Sequence, residues 1–104
     1  MRFGIARHSC GITFYGVNNV VVDNLTVQHF RIDGINANDH AKDVVLREVT
    51  LIENGRAGLT VSGTSLVALL ECRIERNREH SILLKEAAAL VVDRTQLDAE
   101  PDQK

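Results

Sequence analysis

The segment Val20-Val21-Val22-Asp23-Asn24-Leu25-Thr26-Val27 returns three times along the chain. It reappears as Val44-Val45-Leu46-Arg47-Glu48-Val49-Thr50-Leu51, as Val67-Ala68-Leu69-Leu70-Glu71-Cys72-Arg73-Ile74, and as Leu90-Val91-Val92-Asp93-Arg94-Thr95-Gln96-Leu97. Such a recurrence restricts the chain to a solenoid, because one short unit cannot bury its apolar face until the next unit stacks on it. The units begin at Gly11, Gly34, Gly58 and Ser81, each followed by an aliphatic residue, in steps of 23, 24 and 23 residues. The single extra residue falls between Asn38 and Val44.

Superposing the units aligns apolar residues in columns. Ile12/Ile35/Leu59/Ile82, Phe14/Ala37/Val61/Leu84, Val20/Val44/Val67/Leu90, Val22/Leu46/Leu69/Val92, Leu25/Val49/Cys72/Thr95 and Val27/Leu51/Ile74/Leu97 are the six that strand alternation points inward. Each turn then holds three strands, roughly 12–15, 20–22 and 25–27 in the first. Gly16 and Gly63 share a corner with Asp39 and Glu86, where a positive φ suits glycine and is tolerated by Asp. Asn54 and Asn77 share another column, in which stacked amides bond from coil to coil. Asp23 beside Arg47 and Glu71 beside Arg94 place opposite charges on neighbouring strands.

A chain of 104 residues fits one domain, which the repeat places at residues 1–97, with residues 98–104 as a polar tail in which Pro101 stops strand pairing. Three Phe, one Tyr and no Trp leave the core to aliphatics. A formal charge of -2, with both signs interspersed, announces no basic face, so nucleic acid is not an expected partner. No apolar run reaches the length of a membrane span, and the first ten residues lack the apolar stretch of an export signal. Cys10 and Cys72 form no CxxC motif and fall too many coils apart for a disulfide. Cys72 reads as a core residue. His8, His29, His40 and His80 occupy four different coil positions, so neither a metal site nor a cofactor is expected. Asn24-Leu25-Thr26 matches the glycosylation acceptor pattern and reads more simply as a turn.

The coil starts and the VVVDNLTV, VVLREVTL, VALLECRI and LVVDRTQL segments resemble the right-handed parallel β-helix family, the fold of pectate lyases, polygalacturonases, alginate epimerases and phage tailspikes. The resemblance covers residues 11–97 and implies an all-β, right-handed parallel β-helix of about four coils. The alternative is a leucine-rich-repeat-like solenoid, whose skeleton Leu46-x-x-Val49-x-Leu51-x-x-Asn54 also matches. The other half of each unit, as in Gly11-Ile12-Thr13-Phe14-Tyr15-Gly16, carries β-branched residues and glycines where that repeat usually places a helix.

In enzymes of the resembled family, substrate lies along one strand face. The matching outward positions are Thr13/Asn36/Thr60/Leu83 and Tyr15/Asn38/Ser62/Lys85, with Asp39, His40 and Glu86 in the adjoining turns. Tyr15, Asn36, Asn38, Asp39 and Lys85 are the candidates for binding a polysaccharide; a plain solvated sheet face gives the same polar pattern. Asp33, Asp39, His40 and Lys85 are the catalytic candidates. Asp33-Gly34-Ile35 resembles the stretch before the catalytic aspartates of polygalacturonases, but Arg56-Ala57-Gly58-Leu59 stands where the paired aspartates are needed, so acid/base hydrolysis lacks its parts. The expected function is therefore a non-catalytic carbohydrate-binding or scaffold segment of a larger surface or secreted protein. The alternative is a fragment of a carbohydrate-active enzyme. Phe3 and Ile5 have the spacing of a preceding coil's last strand, and no cap is evident at that end, so the expectation is either a piece of a longer β-helix or end-to-end association. Val21, Val45, Ala68 and Val91 form an outward apolar stripe, a second surface for side-by-side self-association.

Overall fold

The computed structural model describes residues 2–3, as backbone, and 10–103 in full. The sequence expectations at Met1, Ile5 and His8 lie outside these residues. Every regular element among them is a β-strand. After β1 (Arg2–Phe3), the first coil is β2 (Cys10–Tyr15), β3 (Asn18–Asp23) and β4 (Thr26–Gln28). The second is β5 (Asp33–Asn38), β6 (Lys42–Arg47) and β7 (Thr50–Ile52), and the third is β8 (Ala57–Val61), β9 (Leu66–Leu70) and β10 (Arg73–Glu75). The fourth is β11 (His80–Leu84), β12 (Ala89–Asp93) and β13 (Gln96–Leu97), followed by β14 (Asp102–Gln103).

These strands form three parallel sheets, each taking one strand from every coil. Sheet 1 holds β2, β5, β8, β11 and β14; sheet 2 holds β3, β6, β9 and β12; sheet 3 holds β1, β4, β7, β10 and β13. With strands in the half of each unit where a leucine-rich repeat would carry a helix, that alternative is excluded. The registers stack Ile12 on Ile35, Leu59 and Ile82, and Val22 on Leu46, Leu69 and Val92, as the periodicity predicts. Ile35, Leu46, Leu51, Leu59, Leu69, Ile74 and Ile82 are wholly buried. Each contributes about 1.5–3 kcal/mol relative to an exposed side chain. Toward the ends the same columns open: Val92, in line with buried Leu46 and Leu69, is 43% exposed.

Two turn columns explain how the chain rounds its corners. Gly16, Asp39, Gly63 and Glu86 all have positive φ, from 55 to 64°. Between sheets 2 and 3, Asn24, Glu48, Glu71 and Arg94 share the left-handed conformation with no glycine among them. That conformation costs roughly 1–2 kcal/mol in a residue with a Cβ. It turns the Asn24, Glu48 and Glu71 N–H groups onto the Arg47, Leu70 and Asp93 carbonyls of the next coil at 3.0 Å, so the ladder runs on through the bend. The gained rungs offset much of the strain.

The glycines at the coil starts answer to the asparagine column. A Cβ on Gly34 would lie 2.8 Å from Asn54 Nδ2, and one on Gly58 2.7 Å from Asn77 Nδ2. Asn54 Nδ2 donates to Asn77 Oδ1 at 2.9 Å, so the expected amide ladder is present. Ser81 carries a side chain at the same position, where Glu100 replaces the asparagine of its own coil, and its Oγ donates to the Ala99 carbonyl at 2.6 Å.

Two expectations are corrected. Strand pairing does not stop at Pro101, because β14 pairs with β11 through Leu83–Asp102 and Leu84–Gln103. Proline removes only its own N–H, and a strand is free to begin after it. The Asp98 carboxylate accepts from the Arg76 N–H at 2.7 Å and the His80 ring bonds to Asp102, which hold the segment against the coil. The Asp23–Arg47 pair forms at 2.6 Å, but Arg94 turns to Asp93, at 3.9 Å, rather than to Glu71. Glu71 and Arg94 both sit in the left-handed bend, with φ of 53° and 45°.

Cys72 is 4% exposed, and its Sγ donates to the Leu46 carbonyl at 3.0 Å. Burial raises its thiol pKa. A raised folded pKa gives a stability contribution present below the unfolded thiol's value, about 8.5, and lost as pH rises from there toward the folded value. Cys10 is partly exposed. The native chain is expected to give one fast thiol equivalent with an aromatic disulfide reagent at neutral pH, and the second only on unfolding. Two fast equivalents would contradict the burial of Cys72.

Candidate functional site

The outer face of sheet 1 carries the sequence-predicted residues. Alternation along β5 sends Ile35 and Ala37 inward and leaves Asn36 and Asn38 outward, and register sets Asn38 beside Tyr15 and Asn36 between Thr13 and Thr60. Asn38 Nδ2 donates to Asn36 Oδ1 at 2.8 Å, and Asn36 Nδ2 donates to Asp33 Oδ2 at 2.8 Å. Arg56 closes the chain with both arms of its fork, Nε to Asp33 Oδ1 at 3.0 Å and Nη2 to Oδ2 at 2.7 Å. The Asp33 side chain is wholly buried, and its carboxylate raises the Arg56 pKa further. A carboxylate holding three donors is a fixed anchor for the two amides.

At the other end of this row, Tyr15 stands 69% exposed with its hydroxyl beside the Asp39 carboxylate, which raises the phenol's pKa. Asp39 and His40 do not work together. Both lie in the left-handed conformation, with φ of 55° and 66°, and consecutive residues there face different neighbours. Asp39 meets Tyr15, whereas His40 Nδ1 pairs with Thr64 Oγ1 of the next coil. Lys85 follows directly on β11, two coils from Asn38, which is about 9.6 Å by strand spacing. The face therefore joins Tyr15, Asn38 and Asp39 at one end and Asn36, Asp33 and Arg56 at the other, and leaves Lys85 apart.

Thr60, next to Asn36, is 2% exposed, and its Oγ1 has no hydrogen-bond partner among the described residues. Among the described residues no three His, Cys, Asp or Glu side chains converge in a way that could hold a metal ion. Sequence reading missed Arg56. Its signal was positional: Asp33 pairs with Ala57, so the residue before Ala57 lies within reach of that carboxylate. On sheet 2, the stripe faces outward as the alternation predicts, with Val21 65% and Val91 53% exposed.

Three parallel sheets wound as coils on an aliphatic core define a parallel β-solenoid of about four turns. The family model described as right handed beta helix region matches residues 5–99, and the chain belongs to that family. No curated protein and no solved structure matches it.

Proposed function

We propose that this β-helix is a non-catalytic segment that binds a polysaccharide on the outer face of sheet 1. One observation carries the reading: the exposed Tyr15 ring stands in register with Asn38, whose amide is oriented through Asn36 by the buried Asp33 carboxylate and its partner Arg56. An apolar ring beside fixed donors and acceptors offers a sugar a stacking surface and directed hydrogen bonds without an ordering cost. The commitment of Asp33 to three donors supports binding over acid/base chemistry.

Tyr15→Ala is the direct test. Its exposure places the stability change within about 0.5 kcal/mol of zero. Affinity for the best glycan on an array, measured by calorimetry, is expected to fall about tenfold, or 1.4 kcal/mol. Unchanged affinity would remove Tyr15 and this face from the reading. Release of shortened product that Asp39→Ala abolishes would replace binding with the enzymatic alternative.

A further inference from the structure

An open groove of about 660 Å³ lies on the turns that lead from sheet 3 into sheet 1, away from the outward face described above. Arg31, Arg76 and Arg78 line it, with His29, Glu53 and Gly55. Its shape follows from the repeat. Arg31, Gly55 and Arg78 occupy one position of three successive coils, as the Gly55 N–H to Phe30 carbonyl and Arg78 N–H to Asn54 carbonyl bonds show. The middle coil thus contributes no side chain between the two arginines.

The electrostatics are one-sided. Arg31, Arg76 and Arg78 are exposed, and among the described residues none of their guanidinium groups forms an ion pair. The groove's one carboxylate, Glu53, bonds to His29 Nε2 at 3.1 Å. Three uncommitted forks around a glycine floor stand out in a chain whose formal charge is -2.

We infer that this groove binds a tetrahedral oxyanion, a sulfate or phosphate ester carried on a sugar. A guanidinium fork already saturates a carboxylate's two oxygens, whereas a tetrahedral ester presents three outer oxygens to donors from three sides. The volume exceeds the needs of a bare anion and leaves room for the ring that carries it. Phe30 is 3% exposed, so the groove presents its arginines and the His29 imidazole, and no phenyl face, to a ligand.

The test titrates the full chain at low salt with N-acetylglucosamine 6-sulfate, glucose 6-phosphate and glucuronate, and repeats it with the Arg31→Ala/Arg78→Ala double variant. Both arginines are exposed, and an unchanged far-UV spectrum will certify the fold of the variant. Saturable binding of one ester or both, at least about tenfold weaker in the double variant and weakened by added salt, is the expected result. The ester bound more tightly identifies the source of the anion. Glucuronate binding as tightly as the esters, no ester binding to the native chain, or equal affinity in the variant would each overturn the assignment. Tyr15→Ala is expected to leave ester binding unchanged, so loss of the groove and loss of the sheet 1 face are read separately.

Discussion

Gly55→Ala is expected to destabilise the protein by about 3 kcal/mol or more, among the largest effects of any single methyl group in this chain. A Cβ built on Gly55 lies 1.9 Å from the Arg31 carbonyl oxygen and 2.7 Å from its carbonyl carbon. These are backbone atoms and cannot swing aside. Nor can the coils separate cheaply, since the Gly55 N–H donates to the Phe30 carbonyl at 2.7 Å beside the clash. Gly16→Ala is the matching control. Its φ is 63° and its nearest contact is the Asp39 carbonyl oxygen at 3.6 Å, so only conformational strain of roughly 1–2 kcal/mol is at stake. Urea unfolding of both variants measures the difference. Equal midpoints would show that the Gly55 turn yields, and that the close approach is not a constraint.

Asn54→Leu is expected to cost about 3 kcal/mol, although leucine has a similar volume and greater hydrophobicity. Asn54 is 1% exposed, with its Oδ1 accepting from the Phe30 N–H at 3.1 Å and its Nδ2 donating to the Val27 carbonyl at 3.4 Å and to Asn77 Oδ1 at 2.9 Å. Leucine leaves a buried N–H and a buried carbonyl without those partners, at about 1–3 kcal/mol each. Extra apolar burial offsets only part of this. For a domain of this size the melting temperature should fall by roughly 10 °C or more. Asn77→Leu should cost less, because Asn77 is only partly buried. If Asn54→Leu melted with the native chain, the amide ladder would be a matter of packing alone.

The coil architecture was legible because stacking imposes the same inward demand on each turn. Val20, Val44, Val67 and Leu90 cannot differ much without opening the core, so the period shows in the residue types themselves. The glycine corner was legible for a similar reason, since Gly16 and Gly63 mark a backbone conformation that few other residues favour. Glu48 and Glu71 adopt the same conformation without announcing it, because their cost is offset by hydrogen bonds to the next coil that residue identity does not reveal. The Arg56 clamp was hidden by side-chain reach, which crosses from one coil to the next. Asp39 and His40, adjacent on a turn, point to different neighbours, Tyr15 and Thr64, as consecutive residues in a bend do. The arginines of the groove are scattered in the sequence and converge only when turn residues, rather than apolar ones, are superposed.

From the third coil to the fourth, every paired residue in the three sheets lies 23 positions from its partner, as in Ala57–His80, Leu66–Ala89 and Arg73–Gln96. A gene segment encoding one such turn, spliced in after itself, would therefore find the same partners above and below and disturb no register. Height is the quantity that evolution can change here by duplication alone, about 4.8 Å at a time. Each added storey would lengthen the three sheets while the register of every step stays the same.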